Sequence, residues 1–160
     1  MNLHAIRQSL SQLDAKDRMD LGEVQQETAE RLRVAGLPED LLRLVTTCWP
    51  QTPGRGYAGP FRLATTAQLV TPDLKAELAE HGLLFFASAG NGDAVVVDVS
   101  TPQYPVLIVD HSRWDGNLSE IRSIAAVVSP TLEEFFQRAA NDPEMPGDYW
   151  DVREELGDGG

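Results

Sequence analysis

Residues 83–99 read LLFFASAGNGDAVVVDV, and this stretch decides the fold because a glycine-rich turn joins two apolar runs. A phosphate-binding loop is one interpretation, but such a loop needs a following helix whose free N–H groups and dipole face the anion. The run Ala94 to Val99 instead has the β-branched composition of a strand. Asp93 would also repel a phosphate, and the only lysines of the chain are Lys16 and Lys75. We therefore interpret the turn as a corner between two strands.

The structural turn comprises four residues, Gly90, Asn91, Gly92 and Asp93. Asn-Gly is the preferred pair of a two-residue type I′ turn, because both positions need positive φ. Such a turn fixes the register of the strands it joins. The cross-strand pairs that it predicts are Gly90–Asp93, Ser88–Val95, Phe86–Val97 and Leu84–Val99. Both faces of this hairpin are apolar, so we expect it to be central in its sheet and covered on both sides.

Helical patterns precede this hairpin, and strand patterns and then one last helix follow it. The spacing of apolar residues and of capping residues predicts helices over 3–13, 16–34, 38–48, 72–81 and 131–140. Runs of β-branched and aromatic residues predict strands over 83–87, 94–99, 106–109 and 121–128. This order indicates an α+β fold, with a mostly antiparallel central sheet of about four to six strands and helices packed around it.

The chain divides into three regions by composition and pattern. Residues 1–36 form an N-terminal helical extension, 37–140 form the α+β domain, and 141–160 form an acidic C-terminal tail. A chain of 160 residues is otherwise the length of one domain.

Acidic residues outnumber basic ones by 25 to 13, and the formal net charge is −12. Residues 141–160 hold seven of these acids and one base, Arg153. Such a chain is repelled by nucleic acid and by anionic lipid, so we expect neither as a partner. Its expected partners are basic protein surfaces, although acidity can also serve solubility alone.

The expected location is the cytoplasm. No apolar run approaches the ~20 residues of a membrane-spanning helix, and the amphipathic N-terminus does not have the pattern of a signal peptide. Cys48 is the only cysteine, so an internal disulfide is excluded, and we expect a buried structural thiol.

The chain contains few candidates for catalysis. Asp110, His111 and Ser112 are the residue types of a nucleophilic triad, but sequence neighbours cannot form the required relay. Ser88 and Ser119 lie outside any nucleophile-elbow pattern. The histidines His4, His81 and His111 are scattered, without metal-ligand spacing. We therefore predict no enzyme activity, no cofactor, no metal and no small-molecule ligand.

Carboxylates on a predicted helix surface have a simpler interpretation. Asp73, Glu77 and Glu80 are spaced as a solvated helical face, and no pair of carboxylates is evidently held in a cleft.

Two segments place aromatic residues beside acids, SRWDGN at 112–117 and GDYWD at 147–151. Trp, Tyr and Arg are the usual anchors of protein interfaces, and acidic flanks steer a basic partner. The candidate contact residues are Trp114, Asp115, Asp148, Tyr149, Trp150 and Asp151. The alternative is that each tryptophan folds back onto the core of its own domain.

Four pieces of the sequence, in this order, resemble the SUKH superfamily. They are Leu37-Pro38-Glu39-Asp40-Leu41, then FRL through Gln68-Leu69, then LLFFASAGNGD with AVVVDV, and last PVLIVDH with SPTLEEFFQRA. The resemblance extends from Leu37 to Ala140. This superfamily includes bacterial immunity proteins, fungal cell-wall regulators and the SecY-interacting Syd protein.

The resemblance implies a binding fold without a shared catalytic apparatus. The first hypothesis is an immunity protein, a monomer or homodimer, that binds and neutralises a cognate toxin domain such as a nuclease. The alternative is a housekeeping adaptor or regulator that binds a resident cellular protein.

Overall fold

A six-stranded antiparallel sheet lies at the centre of the computed structural model, which describes residues 1–157. The strands are β1 (Leu21–Gly22), β2 (Trp49–Pro50), β3 (Tyr57–Ala58), β4 (Phe61–Leu63), β5 (Leu83–Ser88), β6 (Ala94–Asp98), β7 (Val106–Val109) and β8 (Ala125–Ser129). Strands β3 to β8 pair in chain order, and β1 pairs with β2 in a separate small sheet. The predicted α+β class and antiparallel sheet are confirmed.

Helices surround this sheet. They are α1 (Leu3–Asp17), α2 (Gln26–Ala35), α3 (Glu39–Thr47), α4 (Thr66–Leu69), α5 (Leu74–Ala76), α6 (Ile121–Ile124), α7 (Leu132–Asn141) and α8 (Tyr149–Glu155). Helix α5 continues into a π-helical turn over Glu77–His81, and a 3-10 turn over Leu118–Glu120 leads into α6. Within residues 1–157, no helix combines the length and the apolar character that a membrane crossing requires.

The β5–β6 hairpin is central, as predicted, but its turn and register differ from the prediction. Only Gly92 among the turn residues takes positive φ, at 100°. The amide of Gly92 donates to the Ala89 carbonyl at 3.1 Å, and the amide of Ala89 donates to the Asp93 carbonyl at 2.8 Å. This geometry is a three-residue loop ending in a left-handed glycine, not a two-residue type I′ turn. Asn91 stays outside the left-handed region, and its side-chain oxygen accepts from the Asp93 amide at 3.0 Å.

The longer loop shifts every predicted cross-strand pair. Leu84 lies opposite Val97 and Phe85 opposite Val96, and a bulge between Phe85 and Ala87 then moves Ala87 opposite Val95. The extra residue, Phe86, therefore points to the same face as Leu84 and Ala87, where it is 1% exposed.

The first face of the sheet holds the larger core, built on aromatic rings that meet edge to face. Phe135 and Phe136 of α7 lie 5.3 Å apart at 84°, and Trp49 meets Phe136 at 5.8 Å and 89°. Burial of each such side chain contributes roughly 1.5–3 kcal/mol. Ile6 and Leu10 of α1 belong to this same core, so residues 1–36 share the core of the α+β domain.

The second face has a thinner cover. Its buried residues are Leu83, Val96, Leu107, Val109 and Ile121. The cover consists of the loop that carries Trp114 and the short helical segment from Leu118 to Ile124. This face is apolar like the first, but it is closed by a loop and short turns.

Two predicted elements are corrected. The helix predicted over 16–34 is interrupted, because α1 ends at Asp17 and Arg18 takes a left-handed φ of 51°. The chain then forms β1, and the carboxylate of Asp20, directly before this strand, accepts from the Thr52 hydroxyl at 2.5 Å. The strand predicted over 121–128 begins as the helical turn α6 and becomes β8 only at Ala125.

Candidate functional site

The first candidate segment is the loop that carries Trp114, on the second face of the sheet. Trp114 is half-buried, and its ring stacks on Phe85 with centroids 5.5 Å apart and planes at 20°. Its indole N–H donates to the Asn117 carbonyl at 3.1 Å. Asp115 is exposed, and its carboxylate accepts from the Asn117 amide at 2.9 Å. Trp114 is thus both a cover of the core and partly accessible.

The second candidate segment is the first turn of α8. Asp148 is the N-cap and accepts from the Asp151 amide at 2.9 Å, so this acid shapes the helix as well as the surface. Trp150 is 62% exposed and meets the Tyr149 ring edge to face at 5.3 Å. Asp151 is exposed.

Tyr149 is corrected from a contact residue to a core residue. It is only 1% exposed and belongs to the larger core. Its hydroxyl oxygen lies 3.3 Å from the Arg113 guanidinium, which donates to it from the loop before Trp114. Tyr149 therefore anchors α8 and links it to the first candidate segment.

Asp93, predicted only as a turn residue, links the second candidate segment to His111, which lies directly before the first. It is 1% exposed, and its Oδ1 accepts from the His111 amide at 3.0 Å and from His111 Nδ1 at 2.6 Å. Its Oδ2 accepts from the Asn91 side chain at 2.9 Å and from the Tyr149 amide at 2.9 Å. The hairpin turn, the end of β7 and the start of α8 thus meet at one carboxylate.

The ionised state of Asp93 suits this role. Burial by itself raises the pKa of a carboxyl, but the hydrogen bonds from His111, Tyr149 and Asn91 outweigh it, so the pKa of Asp93 lies below its ordinary value. The charge is held by N–H groups from three separate parts of the chain. Asp93 acts as a structural carboxylate.

Asp110 lies beside Asp93 and brings a second buried carboxylate to this end of the sheet. Its Oδ1 accepts from the Ser112 amide at 2.9 Å and from the Ser112 hydroxyl at 2.6 Å, whereas its Oδ2 is buried without a partner among the described residues. Ser112 thus donates to Asp110 and not to His111. These sequence neighbours do not form a nucleophilic relay.

The fold also groups side chains that the sequence left scattered. One ligand atom each from Asp93, Asp110 and His111 lies within 4.8 Å of the others. Two carboxylates and an imidazole are a donor set that divalent metals accept. Each oxygen of Asp93 already accepts two N–H groups. In this structure the cluster therefore holds chain segments together by hydrogen bonds.

No family model, curated protein or solved structure matches the chain. The resemblance to the SUKH superfamily therefore stays a prediction from its quoted motifs.

Proposed function

We propose that the protein is a non-enzymatic, SUKH-like binding module that neutralises a basic toxin domain by occupying its surface. The observation that carries the proposal is Trp150, which is 62% exposed in the first turn of α8. Asp151 follows it directly, and Glu154 lies one turn further along the same helix. An exposed tryptophan framed by carboxylates has the composition of an interface anchor for a basic protein.

The backbone at Trp150 is held in place before any partner binds, and the Trp150 ring packs edge to face on Tyr149. Helix α8 is anchored by the buried side chains of Tyr149 and Val152 and by the Tyr149 amide that donates to Asp93. Arg138 of α7 donates to the Glu155 carboxylate at 3.0 Å. A side chain that is already positioned loses less conformational entropy on binding, which favours affinity.

The net charge of −12 supports a basic partner. A toxin that acts on nucleic acid must present cationic side chains to the phosphates of its substrate. An acidic protein is steered toward that same surface, and binding there excludes the substrate. We infer that neutralisation is steric and electrostatic and needs no chemistry from this protein.

The test begins with affinity capture at low salt, with this protein as bait. The captured protein is then expressed alone and together with the bait in the same host. We expect a basic domain that stops growth alone and is harmless in the presence of the bait. Capture of a resident protein that does not affect growth, with binding that is insensitive to salt, would favour the adaptor function instead.

A matched pair of variants localises the contact. Trp150→Ala is expected to weaken the binding of the captured domain by about 30-fold, as for an interface hot spot. Tyr57→Ala removes another exposed aromatic side chain, in β3, and is expected to leave the affinity unchanged. Equal affinities of the two variants in calorimetry would exclude Trp150 as the anchor.

A further inference from the structure

A cleft of about 550 Å³ lies between the π-helical turn and the loop that carries Trp114. The charged, titratable and aromatic side chains of its lining are Asp73, Glu77, Glu80, His81, Phe85 and Trp114. No lysine or arginine of the described residues lines it. The lining therefore holds three carboxyl groups, and His81, 3.9 Å from the Glu80 carboxylate, is its only basic side chain among the described residues.

One wall of the cleft is aromatic. Phe85 and Trp114 stack on each other at 5.5 Å, and both rings contribute to the lining. The Trp114 ring is held by this stacking and by its N–H bond to the Asn117 carbonyl. A fixed aromatic wall offers a surface on which a planar or cationic group can pack.

Glu77 is the buried acid of the cleft. It is 9% exposed, its Oε1 accepts from the Thr71 hydroxyl at 3.4 Å, and its Oε2 is buried without a partner among the described residues. Burial raises the pKa of this carboxyl, and the neighbouring Asp73 acts in the same direction. A buried carboxylate oxygen without a donor destabilises the folded protein. A ligand whose N–H groups reached this carboxylate would satisfy it.

The backbone also marks this position. Glu77 begins the π-helical turn that runs to His81. Such turns are rare and occur frequently at functional sites. Asp73 and Glu80 are exposed beside the cleft, where they attract cations toward it.

We propose that this cleft binds an arginine side chain presented by the partner protein, and the proposal rests on the proposed function above for the source of that arginine. The guanidinium plane stacks on the open face of the Trp114 ring, whose other face lies against Phe85. Its N–H groups donate to the Glu77 carboxylate, which turns so that the oxygen buried from solvent in the free protein reaches the cleft and gains a partner. Arginine fits better than lysine because a planar group both stacks and donates several hydrogen bonds at once.

The direct test uses arginine amide as the probe and needs no partner protein. Its titration is followed by the NMR signal of the Trp114 indole N–H, with lysine amide as the second probe. We expect saturable shifts for arginine amide and at least tenfold weaker binding of lysine amide. Absence of a Trp114 shift, or equal binding of the two probes, would overturn the proposal.

Two variants that each remove one negative charge distinguish an effect of the cleft from an effect of the net charge. Glu77→Gln keeps the size of the side chain and is expected to weaken the binding of arginine amide at least tenfold. Glu23→Gln removes the same charge at an exposed position outside the cleft and is expected to have no effect. Equal affinities in the two variants would exclude Glu77 as the acceptor.

The two proposals fail in different ways. If arginine amide binds through Glu77 and no toxic domain is captured, the proposed function is wrong and the arginine site stands. If a toxic domain is captured and neutralised with equal affinity by wild type and Glu77→Gln, the arginine site is wrong and the proposed function stands.

Discussion

Asp93 and Glu77 are both buried carboxyl groups, yet their surroundings are opposite. Asp93 accepts hydrogen bonds from the His111 amide and ring, the Asn91 side chain and the Tyr149 amide. Glu77 accepts one long bond of 3.4 Å from Thr71 and leaves its second oxygen without a partner. Buried polar groups are normally satisfied, so each exception needs an explanation. The satisfied acid belongs to the architecture of the protein, and the unsatisfied acid is the one that we propose as the acceptor for arginine.

The pKa directions express the same contrast. The hydrogen bonds at Asp93 overcome burial and lower its pKa, whereas at Glu77 burial prevails and raises the pKa. Folding therefore favours the charged form of Asp93 and disfavours the charged form of Glu77.

Loss of Asp93 should have the largest effect on stability. Asp93→Ala leaves the Tyr149 amide and the His111 groups without their acceptor, so we expect the free energy of unfolding to fall by about 3 kcal/mol or more. Urea denaturation measures this change. Asp93→Asn retains one acceptor oxygen and should lose less. A loss below about 0.5 kcal/mol for Asp93→Ala would show that the three chain segments meet without needing this carboxylate.

Neutralising Glu77 should change stability less, and in the opposite direction. Glu77→Gln removes a buried charge that lacks a partner, so at neutral pH we expect the free energy of unfolding to rise by about 0.5–1 kcal/mol. Glu23→Gln is the control, with an expected change close to zero. Clear destabilisation by Glu77→Gln would mean that the carboxylate already has a structural role.

The smallest effects, and the sharpest comparison, come from pH. The stabilisation by Asp93 is present at neutral pH and is lost as the pH falls below about 4, through its lowered pKa. The destabilisation of the folded protein by ionised Glu77 is absent in acid. It grows as the pH rises above about 4, through the raised pKa of this carboxyl. The urea midpoint of each variant is compared with that of wild type across this pH range. The difference for Asp93→Asn and the difference for Glu77→Gln should change with pH in opposite directions. If the three curves of urea midpoint against pH ran parallel, Asp93 and Glu77 would not differ in how their ionisation affects stability.

Local sequence signals were sufficient for the centre of the fold. The β-branched runs and the Asn-Gly turn predicted the β5–β6 hairpin, because strand propensity and turn chemistry act over a few residues. The register was wrong because the same glycine also suits a three-residue loop, and only Gly92 takes the left-handed conformation. The break after Asp17 escaped prediction because β1 pairs with β2, and β2 lies at residues 49–50.

The roles of Asp93 and Glu77 could not be predicted from the neighbouring residues in the sequence. Asp93 receives hydrogen bonds from His111 and Tyr149, which are 18 and 56 residues away in sequence. Glu77 has the spacing of a solvated helical face, but the π-helical turn starts at this residue and changes the helical period that the prediction assumed. Both roles depend on contacts that form only once the chain has folded.

The packing of α1 against α7 has a consequence for synthesis on the ribosome. Strands β3 to β8 pair with their neighbours in chain order, so each hairpin can form soon after it emerges. Helix α1 is made well before α7, but its buried side chains share the core with α7, and Lys16 donates to the Ala140 carbonyl at 2.8 Å. The buried side chains of α1 can therefore be covered only after α7 has been synthesised. A nascent chain stopped before Leu132 would expose the apolar face of α1 and offer chaperones their binding site.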